Sequence, residues 1–451
     1  MFSAFYGLLP TDYYLSALTT PMSSYNEAYE KLLSLSNLQT KQYTDSKEEL
    51  KNSLIRTKRL LASLGNPEKE LQFVHVGGTS GKGSVANYIQ TALQKSGHSA
   101  GLYTSPHTTS YVERFRMGNR LINPTHLARH INEVTDAYEK LLENGESPLS
   151  FFELSTVIAI YAAQQEGMEW CVLEVGCGGR YDATNVIPGK KFAVITNIDK
   201  DHTQILGDSL EKIAHAKAGI IQQGTTVVCG ETRPKLKKIF QDEAMKHDSP
   251  LFFVEKSNEE IVARDLGAHQ QHNALLAQRI LEEIDIDQEK IDFALKRTQP
   301  LPCRFEIMSR KPTLVLDGAH SPAKIDALVA QIKDQFETAH ILFGGVTTKD
   351  VDQMIKKLLP IAKTISTTRF STNFRKAANP FTLLKLVPKA KQGKAFLDHK
   401  EALKYVQSHV KKNDVIICTG SLYLTGEIRS SFISEEDILK ARSSFPFDKR
   451  A

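Results

Sequence analysis

Short apolar runs alternate with longer amphipathic stretches along most of the chain. In its first part, runs of strand length occur at 72–76, 99–104, 170–175, 192–196, 226–229 and 251–253. The stretches 127–142, 152–165, 210–221 and 267–284 instead repeat apolar positions every three to four residues, as a helix does. Strands that alternate with helices usually lie parallel in one sheet that helices cover on both faces. We therefore expect an α/β fold.

A proline-bearing segment at 298–305 interrupts this alternation. Because a residue before proline avoids the helical region, the segment predicts an extended linker. Beyond it the pattern restarts, with strands predicted at 313–316, 340–343, 363–366 and 414–418 and helices at 322–335, 350–359, 380–387, 400–409 and 422–431. The pattern thus predicts a first domain at 25–297 and a smaller α/β domain at 306–451, whose last ten residues are expected to fray.

The regular pattern begins at Tyr25, so the first residues stand apart from it. They lack a basic start, and Pro10 and Asp12 interrupt their apolar run, so we expect no signal peptide. We interpret residues 1–24 as an extension and Met22 as the native start.

Composition fits an ordinary globular protein and argues against several classes. Of the 451 residues, 41% are hydrophobic and 24% are charged. The net charge of +5 includes no long basic run, so we expect no nucleic-acid partner. No apolar stretch reaches the roughly 20 residues of a membrane span, so we expect no membrane partner. The five cysteines form no CxxC pair, which indicates a reducing, cytoplasmic compartment and no zinc site.

The motif with the clearest chemistry is a glycine-rich segment, Gly-Gly-Thr-Ser-Gly-Lys-Gly-Ser at 77–84, between a predicted strand and a helical pattern. Glycines let backbone N–H groups approach phosphates, and a helix N-terminus adds partial positive charge. Lys82 is placed to reach terminal phosphates and Ser84 to offer its hydroxyl to Mg²⁺. The spacing departs from GxxxxGK[ST], because Gly77 precedes Lys82 by five residues and Gly83 follows the lysine. An ordinary glycine turn is the alternative.

Acidic and histidine side chains follow other predicted strands of the first domain. Glu174 closes the run at 170–175, and Asp201 and His202 follow the run at 192–196. Ligands of open α/β sheets bind at the carboxyl ends of strands, so we expect Glu174 to share Mg²⁺ with Ser84 and His202 to join the site. A turn-capping or packing role is the alternative for each.

A second group lies across the linker and in the helix at 210–221. Arg304 ends the linker, and Asp317 and His320 follow the strand at 313–316, which indicates a substrate shared between two domains. A simple Asp-Gly turn is the alternative there. The local sequence around Lys217 indicates only a solvated lysine on a helix.

In this order, the motifs resemble the folylpolyglutamate synthase/dihydrofolate synthase family of the Mur ligase superfamily, over about residues 25–431. The motifs that carry the resemblance, besides 77–84, are Tyr-Thr-Ser-Pro-His (103–107), Phe-Phe-Glu (151–153), Glu-Val-Gly-x-Gly-Gly-Arg-x-Asp-Ala-Thr-Asn (174–185), Thr-Asn-Ile-x-x-Asp-His-Thr (196–203), Lys-Ala-Gly-Ile (217–220), His-Gln-x-x-Asn-Ala (269–274), Pro-x-Arg-Phe-Glu (302–306) and Leu-Asp-Gly-Ala-His-x-Pro (316–322). The resemblance implies a P-loop-type, mostly parallel ATPase domain followed by a smaller Rossmann-like domain.

The resemblance also implies an activity, an ATP-dependent amide ligation that adds L-glutamate to a folate, with dihydropteroate as a further acceptor. The acceptor carboxylate becomes an acyl phosphate, which the glutamate amine then attacks. ATP, two Mg²⁺ ions and small-molecule substrates are thereby implied, and we expect a monomer.

The resemblance assigns roles residue by residue. Its implied catalytic residues are Lys82, His202, Lys217, Asp317 and His320. Its implied ATP contacts are Gly78, Thr79, Ser80, Gly81, Lys82, Gly83, Ser84, Asn273, Arg304 and Asp317. Its implied metal ligands are Ser84, Ser105, Glu174, His202 and Lys217. Lys217 matches a lysine that carries a carbamate, a carboxylate made from CO₂ that can bind Mg²⁺. Asp317 and His320 match residues near the incoming glutamate, and 105–118 matches a loop beside the pterin pocket.

Four positions depart from the family pattern, which usually has Asn at Ser80, Glu at Ala216, Gly at Cys303 and Asn at Ser321. Ala216 removes a carboxylate beside Lys217, and Cys303 replaces the residue type that is free at positive φ. Because each replacement is small, we expect activity to be retained. A Mur-type cell-wall amino-acid ligase and a non-catalytic ATP-binding module remain alternatives, although the motifs at 103–107 and 182–185 favour the folate branch.

Overall fold

The structure, a computed structural model, describes residues 21–36, 47–255, 267–372 and 375–447. Most of the expected extension at 1–24 lies outside the described residues, and the structure does not test Met22 as a start. None of the helices in the described ranges combines the length and apolarity that crossing a membrane requires.

Helices and strands alternate through both halves of the chain. The helices are α1 (Pro21–Leu35), α2 (Lys47–Ser63), α3 (Lys82–Lys95), α4 (Pro124–Glu143), α5 (Phe151–Gln165), α6 (Thr203–Leu206), α7 (Leu210–Ala218), α8 (Pro234–Lys246), α9 (Ala268–Glu283), α10 (Gln288–Arg297), α11 (Pro322–Gln335), α12 (Val351–Leu358), α13 (Pro380–Lys385), α14 (His399–Ser408), α15 (Leu422–Arg429) and α16 (Glu435–Ala441). The strands are β1 (Gln72–Gly77), β2 (Ala100–Tyr103), β3 (Phe115–Met117), β4 (Arg120–Leu121), β5 (Trp170–Glu174), β6 (Phe192–Ile195), β7 (Thr226–Cys229), β8 (Leu251–Phe253), β9 (Glu306–Arg310), β10 (Thr313–Leu316), β11 (Ala339–Phe343), β12 (Ala362–Thr367), β13 (Gln392–Ala395) and β14 (Val415–Thr419).

The first sheet has eight strands in the order β4-β3-β2-β5-β1-β6-β7-β8. Strand β3 is antiparallel to both of its neighbours, β2 and β4, and all other pairs are parallel. Strand β1 lies between β5 and β6. Its side chains point alternately to the two faces of the sheet, and helices cover both faces. Phe73 packs with helices α1, α2, α4 and α5, whereas Val74 and Val76 pack with α3, α9 and α10. The carboxyl ends of β1, β5 and β6 therefore meet at the middle of one edge.

The second sheet has six strands in the order β13-β12-β11-β14-β10-β9, with β9 antiparallel to β10 and the other pairs parallel. Apolar clusters cover both of its faces. The predicted α/β class, with a mostly parallel sheet followed by a second sheet, is confirmed.

The prediction of a frayed C-terminal tail was wrong for the described residues up to 447. Helix α16 follows a capping box at Ser434, and the chain after it contacts the first sheet. The Leu121 N–H donates to the Arg442 carbonyl at 2.9 Å, and Arg442 Nε donates to the Leu121 carbonyl at 3.0 Å. The start of the tail is therefore fixed against β4 at the edge of the first sheet.

Candidate active site

The glycine-rich segment forms a loop (residues 78–81, the phosphate loop) from the end of β1 to the start of α3. Gly78 has φ 133° and Gly81 has φ 82°, conformations that L side chains rarely adopt. A β-carbon at Gly78 would collide with Thr196, and one at Gly81 would collide with the Asn273 amide. The loop therefore packs closely between the end of β6 and helix α9. Lys82, which follows the loop, is the first residue of α3.

Hydrogen bonds fix the phosphate loop to the chain that follows β6. The Thr79 N–H donates to the Asn197 carbonyl at 2.9 Å, and the Ser80 N–H donates to Asn197 Oδ1 at 2.8 Å. Thr196 Oγ1 returns a bond to the Ser80 carbonyl at 2.5 Å. The smaller Ser80, where the family usually has Asn, is therefore held through its backbone.

Glu174 ends β5 directly beside the first turn of α3. Its Oε2 accepts the Ser105 N–H at 3.0 Å, and a β-carbon at Gly83 would lie 3.2 Å from the same oxygen. Burial raises the pKa of Glu174, although the positive charges of Lys82 and Arg304 oppose the shift. A buried carboxylate whose negative charge is only partly balanced by nearby positive charges is suited to bind a divalent cation.

The described residues contain no group of three His, Cys, Asp or Glu that could hold a metal. Glu174 and the hydroxyl of Ser84, which accepts Gln270 Nε2 at 3.3 Å, form a smaller oxygen set. Mg²⁺ commonly takes one or two carboxylates and completes its ligands from substrate phosphates. The residues present therefore fit Mg²⁺ held together with a nucleotide.

Lys217 lies on α7 and is only 4% exposed, so the solvated lysine that its local sequence indicated was wrong. Its Nζ donates to the Gly78 carbonyl at 2.8 Å, which places the amine behind the phosphate loop. Burial, helped by the charge of Lys82, lowers the pKa of Lys217 to about 7. A large share of this amine is therefore neutral at physiological pH.

Asp201 and His202 follow β6 and face the second domain. The His202 backbone has φ 50°, and its N–H donates to Asp201 Oδ1 at 2.9 Å. Burial lowers the pKa of His202 to about 4, so its imidazole is neutral at pH 7. Two lysines of the second domain contact the Asp201 carboxylate, Lys349 directly and Lys324 at 3.8 Å. Burial alone would raise the pKa of Asp201, but Lys324, His202 and Lys349 hold it below its usual range.

The predicted residues of the second domain lie where β10 meets α11. The His320 Nδ1–H donates to the Gly318 carbonyl at 2.7 Å, and Lys324 Nζ donates to His320 Nε2 at 2.8 Å. These two bonds fix one neutral tautomer of His320. Burial lowers the pKa of His320 well below its usual value and lowers that of Lys324 to about 7.

Asp317 fixes the linker onto the second sheet. Its two oxygens accept the N–H groups of Phe305 at 3.0 Å and Ala319 at 2.9 Å. Burial raises the pKa of Asp317, and the Arg304 charge opposes the shift. Cys303 is buried at φ 55°, so this linker position has the left-handed backbone that favours glycine.

Three residues at the site were given no role by the sequence analysis. Gln270 bonds Ser84 and accepts Asn273 Nδ2 at 3.0 Å, and Lys324 and Lys349 reach Asp201 across the domains. Lys349 follows strand β11, so the strand-end rule applied to the second sheet could have found it. Lys324 lies in the first turn of α11, four residues after His320, so the helix predicted at 322–335 could have placed it beside the site.

The fold and the site define a class of two-domain α/β ligases, in which one domain carries a phosphate loop and lysines of the other domain reach the same edge of its sheet. Residues 76–295 match the Mur ligase middle domain, and residues 303–422 match the Mur ligase glutamate ligase domain. A dihydrofolate synthase/folylpolyglutamate synthase of Bacillus subtilis is 31% identical over 84% of this chain and 95% of its own length.

Solved structures agree with the sequence match. Mycobacterium tuberculosis folylpolyglutamate synthase complexed with ADP is 25% identical, with a TM-score of 0.81 over 92% of this chain and 99% of that one. A bifunctional folylpolyglutamate synthase/dihydrofolate synthase with Mn, AMPPNP and L-glutamate bound is 25% identical, with a TM-score of 0.76 over 90% and 97%. The chain belongs to the folylpolyglutamate synthase/dihydrofolate synthase family of Mur ligases and is an ATP-dependent ligase.

Proposed function

We propose that this chain adds L-glutamate to the carboxylate of a folate, and that dihydropteroate is a second acceptor. The observation that carries the proposal is the meeting of the two domains at Asp201, where Lys324 and Lys349 reach the edge that holds the phosphate loop. A ligase of this kind must bring an amine to an activated carboxylate. We propose residues 25–297 as the domain that binds ATP and the acceptor, and 306–451 as the domain that delivers glutamate.

The reaction has two bond changes at the acceptor carboxylate. The carboxylate oxygen attacks the γ-phosphorus of ATP, the bond to the β–γ bridging oxygen breaks, and ADP leaves. The glutamate amine then attacks the acyl carbon, and the tetrahedral intermediate expels phosphate while the amine nitrogen loses its proton. Both steps depend on positioning and charge neutralisation.

We assign the phosphates to the phosphate loop and the start of α3. Backbone N–H groups at 78–84 are proposed to surround the phosphates, as at other helix N-termini. Lys82 is proposed to neutralise the charge on the transferred phosphoryl group. Asn273, which contacts Gly81, and Arg304 and Asp317 of the linker region are proposed to hold the rest of the nucleotide.

Glu174 and Ser84 are proposed to hold one Mg²⁺, with Ser105 close to it. A second ion is proposed at His202 and a carbamate on Lys217. His202 must be neutral to bind a metal ion, and the Lys217 amine must be neutral to react with CO₂. The lowered pKa values of His202 and Lys217 support both assignments. When bound, the ions neutralise phosphate charge.

We propose that His320 faces the incoming glutamate. Lys324 donates to its Nε2, so the neutral imidazole holds the Lys324 amine at the second-domain side of the cleft. The protonated form of that amine is suited to a glutamate carboxylate. Asp317, in the preceding turn, supports the position of His320 because its carboxylate accepts the Phe305 N–H of the linker.

The acceptor is proposed to bind along residues 105–114, which we call the acceptor loop. Ser105 contacts Glu174, so the loop starts at the phosphate site. Arg114 is buried over the rings of Tyr111 and Phe151, and its Nη1 has no hydrogen-bond partner among the described residues. A flat heterocycle with hydrogen-bonding groups, such as a pterin, matches an aromatic surface with a spare buried donor.

The test is phosphate release from ATP with L-glutamate and either tetrahydrofolate or dihydropteroate, followed by mass spectrometry of the product. We expect release with tetrahydrofolate and a product heavier by one glutamyl unit. Release with dihydropteroate would establish the second activity. Release with neither acceptor would contradict the proposal and favour a non-catalytic ATP-binding module.

A further inference from the structure

Arg429, the last residue of α15, is fully buried and joins several segments of the protein. Its Nε donates to both carboxylate oxygens of Glu306 at 3.0 Å, and its Nη2 contacts the Ser444 carbonyl. Its Nη1 donates to Thr109 Oγ1 at 3.0 Å and to Glu113 Oε1 at 3.3 Å. One guanidinium of the second domain thus contacts the acceptor loop, the start of β9 and the C-terminal segment.

Glu113 in turn organises the acceptor loop from inside. Its Oε2 accepts the backbone N–H groups of Thr108, Thr109 and Ser110 at 3.1, 2.7 and 3.2 Å, and the Thr108 hydroxyl at 2.8 Å. Its side chain is 3% exposed, so the carboxylate has little access to water. The turn at 108–110 therefore depends on a buried charge whose ion-pair partner is Arg429.

A second contact presses the same helix onto the same turn. Gly426 lies one turn before Arg429 on α15, and a β-carbon there would collide with the Thr108 carbonyl. Residues three apart on a helix share a face. One face of α15 therefore holds the acceptor loop by a backbone contact and by an ion pair.

The contact between α15 and the acceptor loop depends on the positive charge of Arg429. Glu306 and Glu113 both bond the Arg429 guanidinium, and the Glu306 side chain is 10% exposed. Two buried carboxylates that share one guanidinium lose their compensation together when it is removed. The turn at 108–110 would then have to rearrange so that Glu113 could reach water.

We propose that Arg429 is a positioning residue for the acceptor: it holds the acceptor loop in its binding conformation by pairing Glu113 with the second domain. The inference rests on the proposed function, because that function places the acceptor along this loop. Arg429 contacts the acceptor loop directly, whereas it reaches the linker only through Glu306, whose Oε2 also accepts the Cys303 N–H at 2.8 Å. Arg429 therefore acts on folate binding more strongly than on nucleotide binding.

The test uses steady-state kinetics of the full chain with Arg429→Lys, Arg429→Met and Gly426→Ala. We expect KM for the folate acceptor to rise by about tenfold or more in Arg429→Met, and by less in Arg429→Lys, which keeps the charge. Gly426→Ala should raise the same KM without any change of charge. KM for ATP and ADP binding by calorimetry should stay within about twofold of the unmodified protein.

Asp414→Asn provides a control for lost stability, because it removes an ion pair with Lys363 and weakens a contact with His340 at the far side of the second sheet. It should lower the melting temperature and leave both KM values unchanged. An unchanged folate KM in folded Arg429→Met and Gly426→Ala would overturn the inference, and so would equal rises of the folate and ATP KM values. If the unmodified chain ligates no glutamate, the proposed function has failed instead.

Discussion

Lys217 shows at the residue scale that burial, as well as residue type, decides the chemistry of a side chain. Its amine lies behind the phosphate loop, bonded to the Gly78 carbonyl. We expect Lys217→Ala to abolish turnover while the fold is kept, because alanine fits a helix and removes the amine on which the carbamate is proposed. Lys217→Arg should also be inactive, since a guanidinium keeps a positive charge and forms no carbamate. Phosphate release measures both, and normal turnover of either variant would remove the carbamate from the proposal.

Occupancy of the proposed carbamate should depend on pH in a defined direction. CO₂ reacts with a neutral amine, and burial lowers the pKa of Lys217 to about 7. The neutral fraction therefore rises as pH increases through about 7, and carbamate occupancy should rise with it. A ¹³C NMR carbamate signal from protein in ¹³C-bicarbonate should grow between about pH 6 and 8. Its persistence in Lys217→Ala would assign the signal to another amine.

Comparing Gly81→Ala with Gly97→Ala should separate the effect of backbone strain from the effect of the contact with Asn273 at the phosphate loop. Gly81 has φ 82° and a β-carbon there would strike Asn273, whereas Gly97 has φ 93° with open space around it. Both alanine variants should lose about 1 kcal/mol of unfolding free energy, measured by denaturant titration. Only Gly81→Ala should also raise KM for ATP. An equal effect of both on KM would mean that the Asn273 contact plays no part.

At the scale of elements, the sequence located the buried strands more accurately than the rest. Strand β10 was predicted at its observed bounds because a contiguous apolar run between polar residues matches a strand buried on both faces. Strand β9, Glu306–Arg310, was not predicted, since it is an edge strand with polar ends and half-exposed side chains. Helix α7 ends at Ala218, not at 221, because Gly219 follows as its C-cap. Local pattern therefore predicts an element best where burial constrains every position.

Helix α5 offers a test of a capping box at this scale. The Glu153 N–H donates to Ser150 Oγ at 3.3 Å, and the Ser150 N–H donates to Glu153 Oε2 at 2.7 Å. Ser150→Ala should lower the free energy of unfolding by about 1 kcal/mol, measured in urea. Turnover should be unchanged, because Ser150 only starts the helix. An unchanged unfolding free energy would mean that Glu153, which also bonds Ser53 and Arg56, fixes the helix start alone.

At the scale of the whole molecule, the sequence predicted residues that one sheet brings together. Glu174 and His202 follow strands of the first sheet, and the carboxyl ends of parallel strands share an edge. Lys324 and Lys349 were missed because their partner, Asp201, belongs to the other sheet. A contact of this kind depends on how the two domains are placed, which no local pattern encodes.

The contacts of Asp201 with these two lysines predict how the domains are coupled. We expect Lys349→Met to lower kcat/KM, and Asp201→Asn to have a similar effect, because either change removes the same interdomain pair. The double variant should be no worse than the poorer single variant, which corresponds to a coupling free energy of about 1–3 kcal/mol. Lys357→Met, which breaks an exposed pair with Asp326 within the second domain, should leave kcat/KM unchanged.

The same pair fixes how domain closure responds to acid. A carboxylate whose pKa is lowered in the folded state stays ionised as pH falls through its usual range, and its contribution is lost only below that range. Because Lys324, His202 and Lys349 hold the pKa of Asp201 below its usual range, the interdomain contact should survive mild acidification. Small-angle X-ray scattering at pH 5 and pH 7 should therefore give the same radius of gyration. Expansion at pH 5 in the unmodified protein, but not in Asp201→Asn, would show that the carboxylate titrates within the mildly acidic range and would contradict the prediction.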